Sequence, residues 1–209
     1  GDKNLRQAFL EGEDIHSRTT KELFSGAMLS EQELKDLRRV AKTINFGIVY
    51  GLGPFRLDRD IGVSGKQAQK SIDDYFGRYP KVQEYFEKLK KEIETRGYVE
   101  TLFGRRRLAR EVDTTGRDSG YTERSLLNAP IQGTAAEIIK RAMIDIDEKL
   151  QQLNVGARMV LQVHDELVFE IPEAAFAEVE QMVVSTMESA VKLEVPLKVD
   201  VRSGTRWGE

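Results

Sequence analysis

The sequence contains no cysteine, one tryptophan and only five prolines among its 209 residues. Without thiols it can form neither a disulfide nor a thiolate metal site, and it suits a reducing compartment, the cytoplasm. No apolar run approaches the roughly 20 residues that a membrane-crossing helix needs, so no membrane partner is expected. No signal-peptide pattern opens the chain. It begins Gly1-Asp2-Lys3 without an initiator Met, and is therefore read as a piece of something longer or as a processed product. An excess of positive charge is also lacking. Thirty-two Lys and Arg face 35 Asp and Glu, a formal net charge of −3, so bulk charge does not announce a nucleic-acid binder. No internal repeat stands out. The length allows one substantial core or two modest subdomains.

What is present is local. Positive charge gathers at Arg38, Arg39 and Lys42, at Lys88, Lys90 and Lys91, and at Arg105, Arg106, Arg107 and Arg110. The first two thirds read as helical: 3–10, 15–24 behind Asp14 as N-cap, and a helix from the Ser30-x-x-Glu33 capping box to about Tyr50. Further helices are predicted at 55–61, at 65–76 and from Pro80 to Arg96, with Pro80 suited to the first turn. Residues 97–104, β-branched and aromatic between glycines, read as a short extended or hairpin segment, and 105–120 as a polar loop. A helical pattern from about 119 to 153 contains Pro130, which should kink or break it. After Asn154 come apolar runs at 157–163 and 167–171, an amphipathic helix at 172–192 and an alternating strand at 197–201. Together these predict an α+β fold, mainly helical, with a small antiparallel β-sheet.

Arg38, Lys42, Phe46 and Tyr50 recur every four residues. On a helix they form a slowly drifting stripe about 18 Å long, cationic at one end and aromatic at the other. A nucleoside triphosphate has the same polarity. Arg and Lys suit its phosphates, and the aromatics suit sugar and base. Spacing alone equally describes an amphipathic helix with a cationic solvent edge and its aromatics in the core.

Gln162-Val-His-Asp-Glu166 lies between the two apolar runs. It reads either as an exposed acidic turn or as a carboxylate site for hard cations. Mg²⁺ takes oxygen ligands, commonly one or two carboxylates plus substrate phosphates, and a hairpin tip holds such a carboxylate firmly.

The string Arg38-Arg-Val-Ala-Lys-Thr-Ile-Asn-Phe-Gly-Ile-Val-Tyr-Gly51 resembles motif B of family A (DNA polymerase I-type) DNA polymerases, and Gln162–Glu166 resembles their motif C. Gly97–Arg107, Asn128–Ala136 and Tyr79-Pro-Lys-Val also match family segments, in the family's order. The resemblance implies a fingers subdomain over 30–117, connecting helices over 1–29, and the C-terminal part of the palm over 118–209. It implies a DNA-directed DNA polymerase that joins dNTPs to a primer 3′ end with two Mg²⁺ ions. Roles carried by the resemblance are dNTP binding for His16, Arg38, Lys42, Phe46 and Tyr50, and metal binding and catalysis for Asp165 and Glu166. It further implies DNA binding by Arg105, Arg106, Arg107, Asn128, Gln132, Gln162 and His164. Phe at position 46 implies discrimination against dideoxynucleotides.

The family's motif A, D-Y-S-Q-I-E-L-R, is absent from the 209 residues. The chain alone is therefore expected to be inactive, with an exposed sheet edge and an apolar palm surface. Expected partners are a DNA primer-template, dNTPs and the N-terminal portion as a separate chain. Two alternatives stay open: a nucleotide- or DNA-binding fragment or half of a split polymerase, and a phage-type single-subunit RNA polymerase.

Overall fold

The structure, a computed structural model, describes residues 1–23, 31–49, 65–109 and 119–206. Phe24, Ser30, Tyr50 and the helix expected at 55–61 lie outside them. The chain divides into two compact units, Gly1–Pro130 and Ile131–Glu209.

In the first unit, α1 (Lys3–Leu10), α2 (Ile15–Leu23), α3 (Glu31–Val49), α4 (Gly65–Arg78) and α5 (Pro80–Arg96) precede a hairpin of β1 (Tyr98–Glu100) and β2 (Arg106–Leu108). α5 begins with Pro80, whose missing N–H is no loss in a first turn. It ends at Gly97, whose φ of 71° is the left-handed cap that a side chain disfavours. Ile44 and Ile48 of α3 pack with Ile72, Tyr75 and Tyr79, joined by Leu5, Val40, Phe76, Val82 and Phe86. A second cluster gathers Leu89, Val99 and Leu127. β1 and β2 pair antiparallel, Tyr98 opposite Leu108 and Glu100 opposite Arg106, so 106–108 form a strand where a polar loop is expected, because β1 offers them a pairing edge.

α6 (Ser119–Leu153) continues through Pro130, so of the expected kink or break the break does not occur. Proline in a helix interior costs about 3 kcal/mol. Burial of Leu126 and Leu127 just before it, and of Pro130 itself, offsets that loss.

The second unit packs α6 against a hairpin, β3 (Arg158–Val163) and β4 (Glu166–Glu170), and against α7 (Phe176–Ser189) behind a short 3₁₀ turn (Glu173–Ala175). Its core is Ala142, Ile146, Leu150, Ala175, Val179 and Val183, covered by Met159, Leu167 and Phe169. The strands pair antiparallel with an irregularity between Met159 and Leu161, and Val160 and Leu161 stay exposed. The fold is thus α+β, mainly helical, with small antiparallel sheets.

The strand expected at 197–201 does not form. These residues carry no sheet pairing, and the Val199 N–H donates instead to the Glu188 carboxylate at 3.3 Å. Alternating polarity suits a half-buried strand, but a strand also needs a neighbouring edge for its N–H and C=O groups. Among the described residues, the second unit's sheet is the β3–β4 hairpin alone.

Candidate nucleotide and metal sites

On α3, Arg38, Lys42 and Phe46 are exposed, whereas Ala41, Ile44 and Ile48 are buried. The stripe therefore lies on the open side of the helix, with Phe46 42% exposed, and the alternative that puts its aromatics in the core fails for Phe46. Tyr50 lies outside the described residues. The Lys42 ammonium sits 5.7 Å from the Phe46 ring centre, so cation and aromatic share one patch.

The start of α2 adds to this patch. Asp14 caps it, its carboxylate accepting from the backbone N–H of His16 and of Ser17, each at 3.3 Å. The same carboxylate takes the Arg38 Nε at 2.7 Å, and Arg38 also reaches Ser17 Oγ at 3.3 Å. Burial alone would raise the Asp14 pKa. The hydrogen bonds from Ser17, Arg38 and His16, with the Arg38 charge, outweigh it and hold the group at about 2. His16 packs its ring 5.4 Å from that of Phe46.

Burial is the first cause that lowers the His16 pKa; Asp14 opposes it, while Arg38 and Lys42 reinforce it. His16 is accordingly a neutral imidazole at neutral pH. Its Nδ1 lies 3.0 Å from the Asn45 side-chain nitrogen. Two cations, a neutral imidazole and an aromatic ring thus share one face of α2–α3. That arrangement can receive a polyanion with a flat group attached.

The β1–β2 hairpin presents Arg105, Arg106 and Arg107, all exposed. Arg106 is engaged within the hairpin: its guanidinium lies 4.5 Å from the Tyr98 ring centre and 3.3 Å from the Glu100 carboxylate. Arg96 covers the same ring at 4.6 Å and also bonds Glu100 at 2.7 Å. Sequence reasoning missed this pairing of two guanidiniums with Tyr98, because Arg96 ends α5 while Tyr98 and Arg106 belong to the hairpin. Asn128 is half-buried on α6, and Gln132 is exposed on it.

In the second unit, His164 and Asp165 form the two-residue turn, since Val163 pairs with Glu166. The tip is one residue shorter than the His164–Glu166 turn expected, because Glu166 already belongs to β4. His164 adopts φ 53°, a left-handed conformation that two-residue hairpin turns demand and that costs a non-glycine residue energy. Gln162 closes the turn, its amide donating to the His164 carbonyl at 2.7 Å. Asp165 and Glu166 are both exposed at this tip. Among the described residues no group of three or more His, Asp and Glu gathers to hold a metal ion. The pair offers hard oxygen donors only, which suits a cation completing its shell with phosphate and water. No described helix is long and apolar enough to cross a membrane.

The family description "DNA polymerase family A" matches residues 1–209. DNA polymerase I of Streptococcus pneumoniae is 42% identical over 209 residues, covering 100% of this chain and 24% of that protein. The Caldicellulosiruptor bescii DNA polymerase I is 44% identical over 209 residues, again 100% of this chain and 24% of the relative. The thermostable DNA polymerase I of Thermus filiformis is 43% identical over 212 residues, 100% of this chain and 25% of that one. The chain thus spans about a quarter of the length of these curated relatives. Among solved structures, the POL domain of Pol1 from M. smegmatis, in complex with DNA primer-template and dNTP, superposes with a TM-score of 0.85 at 38% identity, over 94% of this chain and 35% of that one. The chain belongs to DNA polymerase family A.

Proposed function

We propose that this chain supplies the dNTP-binding face and a metal-binding hairpin of a DNA-directed DNA polymerase. The observation that carries the reading is the cluster of half-buried His16 with exposed Arg38, Lys42 and Phe46 on α2 and α3. In the reaction, the primer 3′-oxygen bonds to the α-phosphorus of a dNTP, the α–β phosphoanhydride bond breaks, and pyrophosphate leaves.

Arg38 and Lys42 hold the triphosphate as fixed cations, Arg38 through its guanidinium fork. Arg38 exchanges Asp14 for phosphate when the ligand arrives. His16 donates a hydrogen bond to the same phosphates, and Phe46 packs on sugar and base beside Tyr50. On the palm side (118–209), Asp165 and Glu166 would hold Mg²⁺, which would supply Lewis-acid activation of the 3′-hydroxyl and charge neutralisation for the pyrophosphate. Gln162 and His164 meet the primer end. Arg105 and Arg107 meet the DNA backbone as point charges, while Arg106 works partly as a strut for its own hairpin. Asn128 and Gln132 meet the nascent base pair. Partners on this reading are primer-template DNA and dNTPs, in the cytoplasm. The relative solved with primer-template and dNTP supports it, and the family match favours DNA synthesis over the RNA polymerase alternative.

The test is a chimera. Residues 1–209 replace the matched quarter of the S. pneumoniae polymerase, and primer extension is measured. Template-directed incorporation that Asp165→Ala or Arg38→Ala abolishes supports the reading; a folded but inert chimera contradicts it. The 209-residue chain alone, which lacks the D-Y-S-Q-I-E-L-R motif, is expected to incorporate nothing. Incorporation by it alone would overturn that part.

A further inference from the structure

The buried face of α3 is apolar at Ala41, Ile44 and Ile48, yet Asn45 interrupts it at 6% exposure. A polar side chain at such depth is costly unless bonded. Its partners lie on α2. The Asn45 side-chain nitrogen is 3.1 Å from Thr19 Oγ1, itself on a residue 1% exposed, and 3.0 Å from His16 Nδ1. The Thr19 hydroxyl donates back to the Asn45 carbonyl oxygen at 3.3 Å. An amide nitrogen has only protons to offer, so toward Asn45 the Nδ1 of His16 must accept. A neutral imidazole accepting at Nδ1 carries its proton on Nε2. Thr20 adds a further tie, its hydroxyl donating to the His16 carbonyl at 2.8 Å, so backbone and ring of His16 are both held.

We infer that Asn45, anchored by Thr19, is a positioning residue that fixes His16 as the Nε2–H tautomer, so that the ring presents a hydrogen-bond donor to the anion received beside Arg38 and Lys42. This rests on the nucleotide reading above for the identity of the anion, but the tautomer itself does not. The charged groups facing His16 are Asp14, Arg38 and Lys42, and none of them makes a hydrogen bond to Nδ1 among the described residues. The tautomer therefore depends on Asn45. With Asn45 replaced by an acceptor the proton moves to the other nitrogen.

The chain has only two histidines, so ¹⁵N-labelled imidazole spectra of the 209-residue chain resolve His16 once His164→Gln identifies the other. The expected spectrum shows protonation at Nε2 of His16. In Asn45→Ala, and in Thr19→Val should the first variant fold poorly, the two tautomers mix. In Asn45→Asp the carboxylate accepts from Nδ1, and His16 stays protonated to higher pH than in the parent. Affinity for dATP falls about tenfold in Asn45→Ala and in His16→Ala, the scale of one charge-assisted hydrogen bond. The double variant is no worse than His16→Ala, because Asn45 acts through the ring.

Three results would overturn the inference: an Nδ1–H tautomer in the parent, an unchanged tautomer in both Asn45→Ala and Thr19→Val, or additive losses in the double variant. If His16→Ala binds dATP as the parent does while Asn45→Ala still shifts the His16 tautomer, the nucleotide reading falls and the tautomer assignment stands.

Discussion

One carboxylate, that of Asp2, caps both the helix it precedes and another that begins at Pro80. Its Oδ1 accepts from the backbone N–H of Asn4 at 3.0 Å and of Leu5 at 3.1 Å at the start of α1. Its Oδ2 accepts from the Lys81 N–H at 3.2 Å at the start of α5. Asn4 completes the joint by donating to the Arg78 carbonyl at the end of α4, at 3.1 Å. The frame that carries α3 is thus tied by the second residue of the chain, which is 7% exposed. Asp2→Ala should lower unfolding stability by about 2 kcal/mol, the scale of a lost cap with a buried donor left over. Asp2→Asn, which still accepts on one side, should lose less. Urea denaturation checks both, and equal stability of Asp2→Ala and the parent would contradict the double cap.

Acid should act on α2 before it acts on the rest of that patch. Asp14 sits at about 2 against an unfolded carboxyl near its ordinary 3.8. A depressed carboxyl stabilises the fold above its unfolded pKa, and the contribution fades as pH falls from there through about 2. His16 works in the opposite direction. Its pKa is lowered in the fold, so acidification through the ordinary imidazole range favours the unfolded chain. Helicity followed against pH should therefore decline first in the histidine range and again in the carboxyl range. Asp14→Asn should shrink the second step, leaving the part due to other carboxyls such as Glu11, while keeping an N-cap.

The same Asp14→Asn change removes a negative charge beside the anion site and frees Arg38. dNTP affinity should rise several-fold at low salt, and the gain should shrink as salt screens it. Calorimetric titration at two ionic strengths measures this, and weaker binding in the variant would contradict the exchange of Asp14 for phosphate.

His164 occupies a left-handed position that glycine adopts at no steric cost. His164→Gly should stabilise the β3–β4 hairpin by up to about 1 kcal/mol, read from hydrogen exchange of the β4 amides. Primer extension by the chimera should nonetheless fall, if the imidazole meets the primer end. Equal stability together with full activity would contradict both halves.

Of the three arginines on β2 and its turn, Arg106 is spent on Tyr98 and Glu100. Arg105→Ala and Arg107→Ala in the chimera should each reduce the slope of log affinity for primer-template against log salt by about 0.9. Arg106→Ala should reduce it less and should lower hairpin stability more. A steeper loss of slope for Arg106 than for its neighbours would reverse that assignment.

Much of this was legible in the residues because it is local. Pro80 and Gly97 bound α5 where the sequence predicts, and Arg38, Lys42 and Phe46 of the stripe lie on the exposed side of α3. The acidic turn falls between two strands as read, one residue shorter. What was not legible depends on contacts distant in sequence. Nothing near Asn45 announces that it is buried against Thr19, 26 positions away, since asparagine at that depth looks unfavourable until its partner is known. Asp14 is readable as a cap but not as the partner of Arg38. Residues 197–201 carry the alternation of a strand, yet pairing is a property of two segments. The break at Pro130 does not occur because helix propensity is overridden by the packing around Leu126 and Leu127.

The most direct measurement is a titration of the 209-residue chain with dATP, followed residue by residue through amide and side-chain resonances. Saturable shifts centred on His16, Arg38, Lys42 and Phe46, weakened by Arg38→Ala and Lys42→Ala, are the predicted result. Shifts confined to Ile131–Glu209, or none at millimolar ligand, would contradict the assignment of α2–α3 as the nucleotide face.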